Sequence, residues 1–364
     1  MMITSLLASA LLAADFVFAP SEPADGLQTA AIQSVIDRAA QAGGGRVVIP
    51  KGKWTSGSLF FAPGTSLKLD EGAVLYGSTN RQDYKAMTVR VEGLMQPGRA
   101  SLINADGVNG FSIEGPGVID GNGRPFWKNP GDPRPRLVFV ANSTNVVIRN
   151  VTLRYSAMWH LHLYRCKDVL VENATIFSPS GVHSDAVDLD IAEDVVIRGC
   201  KMNVYNDAIA LKGGKGPDAN DFSKHPENGV IRNVLVEGCE FGGSCFSGVT
   251  LGSECLFASN VVLRNSTFTN TTSALYLKMR VDTPQLYQDV TATNLSGTAN
   301  CGLWVRPYLQ HAKPEWKGLA IPSVATNILF DAGPSFKVPK PEKLMHVIPH
   351  KTYQLHLRAA KEEN

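Results

Sequence analysis

Between Asn145 and Gly297 the chain repeats one short phrase of alternating apolar and polar positions. It reads NVVIRNVTL from Asn145, DVLVENATI from Asp168, DVVIRGCKM from Asp194, NVLVEGCEF from Asn233 and NVVLRNSTF from Asn260, with a weaker echo, DVTATNLSG, from Asp289. The template is Asn or Asp, then Val, any residue, an apolar residue, any residue, and Asn or Gly. Successive starts are 23, 26, 39, 27 and 29 residues apart. That is too close for a strand, a crossover helix and a second strand, and it suits one turn of a solenoid made of two or three short strands.

Because strand side chains alternate, Val146, Val169, Val195, Val234 and Val261 share one face with Ile148, Val171, Ile197, Val236 and Leu263. These β-branched and apolar residues build a continuous interior when rungs stack. The sixth template position holds Asn150, Asn173, Gly199, Gly238, Asn265 and Asn294. Asn and Gly tolerate a left-handed backbone, so the chain bends here on every turn, and stacked Asn side chains can bond rung to rung. The expected fold is all-β, a right-handed parallel β-helix. Upstream, apolar residues at helical spacing from Ala30 to Ala40, a glycine stop at Gly43 to Gly45 and a strand from Arg46 to Pro50 predict an N-terminal helix that caps the open end. GTSLKLDEGAVLYG and VNGFSIEGPGVIDGNG read as early rungs. Beyond Gly333 the repeat dissolves into Pro- and Lys-rich sequence with a last strand at Tyr353 to Leu357, so residues 333–364 are expected to form a capping tail on a single domain spanning 15–364.

Composition narrows the function. The 364 residues are 44% hydrophobic and 19% charged, with 35 Lys and Arg against 33 Asp and Glu. That balance offers no long-range attraction to nucleic acid or to an anionic membrane, so neither is expected as a partner, and a monomer is expected. The apolar run from Ile3 to Ala14 has the length of a signal-peptide core and is too short to span a bilayer, which assigns 1–14 as a signal peptide and places the protein outside the cytoplasm, secreted or periplasmic. Six cysteines show neither zinc spacing nor a disulfide framework; Cys200 and Cys239 share one template position and read as a small apolar stack. No metal or cofactor is expected.

The 39-residue spacing carries a polar, glycine-rich insertion, about 213–229, of the kind that often serves function. Counted from the template starts, His162, Asp185, Asp207, Ser247 and Lys278 fall 17, 17, 13, 14 and 18 residues along their rungs. They are expected to form one polar column beside the insertion, on a groove suited to an extended polymer. Carboxyls a few ångströms from a sugar can activate water and protonate a leaving oxygen. GGKG at Gly213 lacks the strand, helix and hydroxyl of a phosphate loop and is read as a plain loop.

From about Thr29 to about Pro307, the stretches AGGGRVVIPKGKW, INADGVNGFSIEGPGVIDGNG, HSDAVDLD, NDAIALKGGKG, SGVTLGSE and LYLKMRVDTPQ occur in an order and combination that resembles the polygalacturonase-like glycoside hydrolases of family 28, nearest to bacterial exo-acting and rhamnogalacturonan-directed members. The resemblance implies cleavage of pectic polysaccharide, galacturonan or rhamnogalacturonan, with inversion, and an acidic or mixed plant cell-wall polysaccharide as partner. It makes Asp185 and Asp207 the water-activating carboxylates. Asn206 stands where the family has its general acid, and Ser247 or Phe246 where it has a histidine. The family's Arg-Ile-Lys reads Tyr276-Leu277-Lys278, and Arg280, on the same side as Lys278, is the expected replacement guanidinium for a uronate carboxylate. His162, Lys212 and Glu254 complete the expected substrate-binding set. Three readings stay open: a hydrolase whose acid is elsewhere, with Asp188 or Glu254 as candidates; a carbohydrate-binding relative with little turnover; or a polysaccharide lyase.

Overall fold

The computed structural model describes residues 14–20, 26–129, 131–308, 310 and 312–358. The template phrases lie side by side as parallel strands, Thr144–Arg149, Lys167–Glu172, Glu193–Arg198, Val230–Glu237, Phe257–Arg264 and Leu286–Thr293, within a 12-stranded sheet. Their register is strict: Val146 pairs with Val169, Val169 with Val195, Val195 with Val234, Val234 with Val261 and Val261 with Val290. All are buried. The fold is the expected parallel β-helix.

Each phrase is bracketed by two left-handed residues. The first template position has φ between +53° and +57° at Asn145, Asp168, Asp194, Asn233, Asn260 and Asp289, and the sixth runs from +48° at Asn294 to +62° at Gly199. Gly199 is required on a second count, since a Cβ there would stand 2.5 Å from Asn173 Oδ1. Side chains at both bends bond along the helix axis: Asn260 Nδ2 donates to Asn233 Oδ1 (2.9 Å), Asn233 Nδ2 to Asp194 Oδ1 (2.7 Å) and Asn294 Nδ2 to Asn265 Oδ1 (2.6 Å). A further rung follows at Ser323–Asp331, with Asn327 at φ +55° and Ile328 under Val290. Its phrase, NILFDA, lacks the template's Val and closing Asn or Gly, which is why the pattern did not reveal it.

Two other faces complete each turn, and the long strands Thr267–Arg280 and Ser296–Tyr308 bend from one to the other. Helix Thr29–Gln41 lays Ile32, Val35, Ile36 and Ala39 over the N-terminal end of the core, and Tyr353–Leu357 adds a last strand at the other end. The segment assigned as a signal peptide lies outside the described residues except for Ala14; Asp15–Val17 is already a strand paired with Gly45–Ile49. All six cysteines are free and buried, Cys200 and Cys239 among them.

Ile197 stacks between Val171 and Val236. Ile197→Ala should therefore lower unfolding free energy by about 2–5 kcal/mol, read from the urea midpoint. A loss well below ~1 kcal/mol would mean that the stacked interior tolerates a vacancy in a single rung.

Candidate active site

The face that matters carries Leu161–Tyr164, Val187–Asp190, Asp207–Lys212 and Ser247–Leu251, continued by the ends of the two long strands. Val187 pairs with Ile209 and Asp190 with Lys212, so Asp185 and Asp207 stand in register on adjacent rungs, about 4.8 Å apart along the axis. The Ala186 amide donates to the Asp207 carbonyl (3.1 Å), which locks the pair. Each carboxyl keeps only a small edge in contact with solvent, both residues being 6% exposed.

Asp207 lies at one end of a cleft of about 420 Å³, lined also by Asn206, Phe246, Tyr276, Lys278, Trp304, Arg306, Tyr308 and Gln310. Lys278 Nζ donates to Asp207 Oδ2 at 2.6 Å, while Asp207 Oδ1 accepts nothing from the described residues. Asn206 turns its Oδ1 to the His183 amide (3.2 Å). Tyr276 and Trp304 stack with centroids 4.7 Å apart. Arg306, in register with Lys278, lies 4.7 Å over the Trp304 ring and donates its Nε to Tyr276 Oη.

Behind the pair, Lys212 Nζ is 3.2 Å from Asp188 Oδ1, 3.6 Å from Glu254 Oε2 and 3.8 Å from Asp185 Oδ2, over the Trp159 ring. Three buried carboxyls thus surround one ammonium. Burial pushes the Asp185 carboxyl up to about 6; Lys212 pulls it down and Asp207 pushes it up. Burial raises Asp188 well above the usual range too, beside Asp185. Burial also acts on Glu254, but Lys212 and Lys215 outweigh it and hold this acid at about 2. Burial therefore favours retention of a proton within the Asp185 and Asp188 pair.

Five expected substrate ligands are placed elsewhere. Arg280 does share Lys278's side, yet it is fully buried, with Nε and Nη2 on Asp282 (2.7 and 2.6 Å) and Nη1 on the Gln310 carbonyl. His162 is fully buried between Arg136 and Asp190, and burial drops it to about 3, so it is neutral. Ser247 does stand in register with Asp207, but its hydroxyl is buried and donates to the Val249 carbonyl (3.1 Å). Lys212 and Glu254 hold each other in the buried cluster rather than facing the cleft. Arg306, Trp304 and Tyr308 were missed. The signal was present: WVR at Trp304 repeats the spacing of YLK at Tyr276, one rung on.

Two carboxyls in register on the grooved face of a parallel β-helix form the kind of site that glycosidic-bond cleavage uses. The chain matches Glycosyl hydrolases family 28 over residues 41–296 and belongs to that family. It is 25% identical over 272 residues to an endo-polygalacturonase of Pectobacterium carotovorum subsp. carotovorum, covering 69% of this chain and 64% of that one. A probable polygalacturonase of Arabidopsis thaliana is 28% identical over 152 residues, 38% of this chain. The match spans only 33%, 49% and 41% of the length of three curated plant relatives. The solved polygalacturonase of Erwinia carotovora subsp. carotovora superposes with a TM-score of 0.74 at 18% identity, covering 97% of this chain and 99% of that one, and shares the fold.

The cluster sets a pH dependence. Asp185 holds its proton more tightly folded, at about 6, than at the ordinary 3.8, so its contribution to stability is full below the lower value and is lost as pH rises through the upper one. Stability should fall between pH 4 and 6, measured by urea unfolding. Asp185→Asn should flatten that fall; an unchanged slope would place the proton elsewhere.

Proposed function

We propose that this protein hydrolyses glycosidic bonds of a galacturonate-based pectic polysaccharide, with Asp207 activating water and Asp185 protonating the leaving oxygen. The supporting observation is the asymmetry of the in-register pair: Lys278 sits on Asp207, while Asp185 shares a buried carboxyl pair with Asp188. Like charges at close range, buried together, favour one ionised and one protonated carboxyl. The Asp207 carboxylate takes a proton from water as the water oxygen bonds to the anomeric carbon. The bond from that carbon to the leaving oxygen breaks, and the Asp185 carboxyl supplies that oxygen's proton. The two carboxyls end with their charges exchanged, and proton exchange with solvent resets them. The family resemblance implies inversion, which the configuration of the first-formed product reports by NMR.

The uronate reading rests on Arg306. Lys278 is neutralised by Asp207, whereas Arg306 donates to the uncharged Tyr276 hydroxyl. A guanidinium on an aromatic stack is suited to a carboxylate, and the Tyr276 and Trp304 rings to a sugar face. A cell-wall polymer lies outside the cytoplasm, so this reading includes export. A second reading, a binding protein with little turnover, is favoured by one residue, Asn206, whose amide cannot act as a general acid.

Reducing-end release from polygalacturonate separates these readings. Asp185→Asn and Asp207→Asn should each lower kcat by about 100- to 10,000-fold, and Asn206→Asp should raise it by less than about tenfold. A large gain on Asn206→Asp would take the acid role from Asp185. Binding without release in the native protein would establish the second reading.

Arg306→Ala should weaken binding of oligogalacturonate by about 1.5–3 kcal/mol and leave binding of the carboxyl-reduced oligosaccharide unchanged, by calorimetry. Equal effects on both would remove the carboxylate contact.

A further inference from the structure

The two flanks of the groove meet across it. One flank is the antiparallel hairpin Ala86–Val91 and Leu94–Arg99, inserted between the early rungs Ala73–Gly77 and Ile103–Asp106. The buried Arg90 of this hairpin grips Asp190 with Nε and Nη2 (3.0 and 3.3 Å), donates Nη1 to Asn228 Oδ1 (3.1 Å) and lies over the Tyr164 ring. The hairpin turn is fitted against the insertion: Glu92 pairs with Lys215, and a Cβ on Gly93 would stand 3.1 Å from both Glu254 and Gly214. The other flank is the segment leading into Val138–Ala141. Arg134 ties it to the carbonyls of Ala157 and Val182. Arg136 then crosses the outer surface of the sheet, where its Nη1 meets His162 Nδ1 and donates to the Arg90 carbonyl at 2.7 Å.

This bridge covers the rung just N-terminal to the carboxyl pair and, through Asp190, the strand that follows Asp185 on its own rung. His162, Asp188 and Asp190 point away from the core, yet are fully buried beneath it. On the other side of Asp207 the cleft runs on past Tyr276, Lys278, Trp304 and Arg306 to the exposed Gln310. Internal cleavage needs room for sugar units on both sides of the scissile bond. Here the room lies on one side, and the far wall is held by charge pairs of high buried content rather than by a loop resting on the surface.

We infer that the Arg136 to Arg90 bridge ends the groove, so that the carboxyl pair meets a polysaccharide only at a chain terminus. The inference rests on the uronate reading above and gives it a direction: the polymer enters from the C-terminal rungs, and short products leave one at a time. The bridge is thereby a specificity device, distinct from the residues that carry out the chemistry.

The test is binding to Asp207→Asn, which prevents turnover, of oligogalacturonate long enough to overrun the cleft, carrying a bulky fluorophore at its reducing end or at its other end. One of the two tagged forms should bind at least about tenfold more weakly than the untagged oligosaccharide, because the tag abuts the bridge. Equal binding of both would show a groove open at both ends and overturn the inference while leaving the uronate reading in place. No binding of any form, untagged included, would remove the uronate reading and this one with it. Arg90→Ala combined with Arg136→Ala should abolish the difference between the tags; if that variant does not fold, the comparison on Asp207→Asn still decides.

Discussion

Everything in this molecule depends on the identity of consecutive rungs. The paired left-handed bends at the first and sixth template positions force the chain to turn at the same place every time, and only a strict register then stacks Val on Val and Asp185 beside Asp207. A slip by one residue would send the apolar column outward and the carboxyls inward. The axial side-chain bonds at Asp194, Asn233 and Asn260 resist such a slip without adding bulk. Precision at the site is therefore inherited from the repeat rather than built locally.

The same stacking creates an electrostatic problem, and the site is shaped by how it is met. Asp185, Asp188 and Asp207 are brought to adjacent rungs with little water around them. Lys212, Lys278 and a shared proton keep them there. Burial favours retention of a proton on the Asp185 side of the facing pair, while Lys278 sits on Asp207. Arg90 and Asp190 use the same device for a different purpose, fixing a hairpin over the sheet.

Most of the scaffold was legible because it is written in short-range periodicity: template, bends, capping helix and terminal strand all follow from residue spacing. The site was legible only in part. Alternation correctly put Arg280 on the side of Lys278, but it cannot see that Asp282, two residues on, neutralises the guanidinium. Counting along rungs placed Ser247 beside Asp207 and could not show that its hydroxyl turns to its own strand. Arg306 escaped because its rung follows the weakest copy of the phrase. The hairpin and Arg136 were illegible for a different reason: Arg90 and Asp190 are 100 residues apart, and nothing in either segment announces the partner.

The buried cysteines carry a consequence for how such a chain can be handled. Burial pushes the Cys166 and Cys245 thiols up to about 12, so in the folded protein these two present almost no thiolate to an oxidant. The unfolded chain has no such shelter. In an oxidising compartment its six exposed thiols can trap wrong pairings by exchange, and stacking of the rungs has to outrun that chemistry. Speed of assembly, more than depth of the final free-energy well, then governs the yield of intact protein.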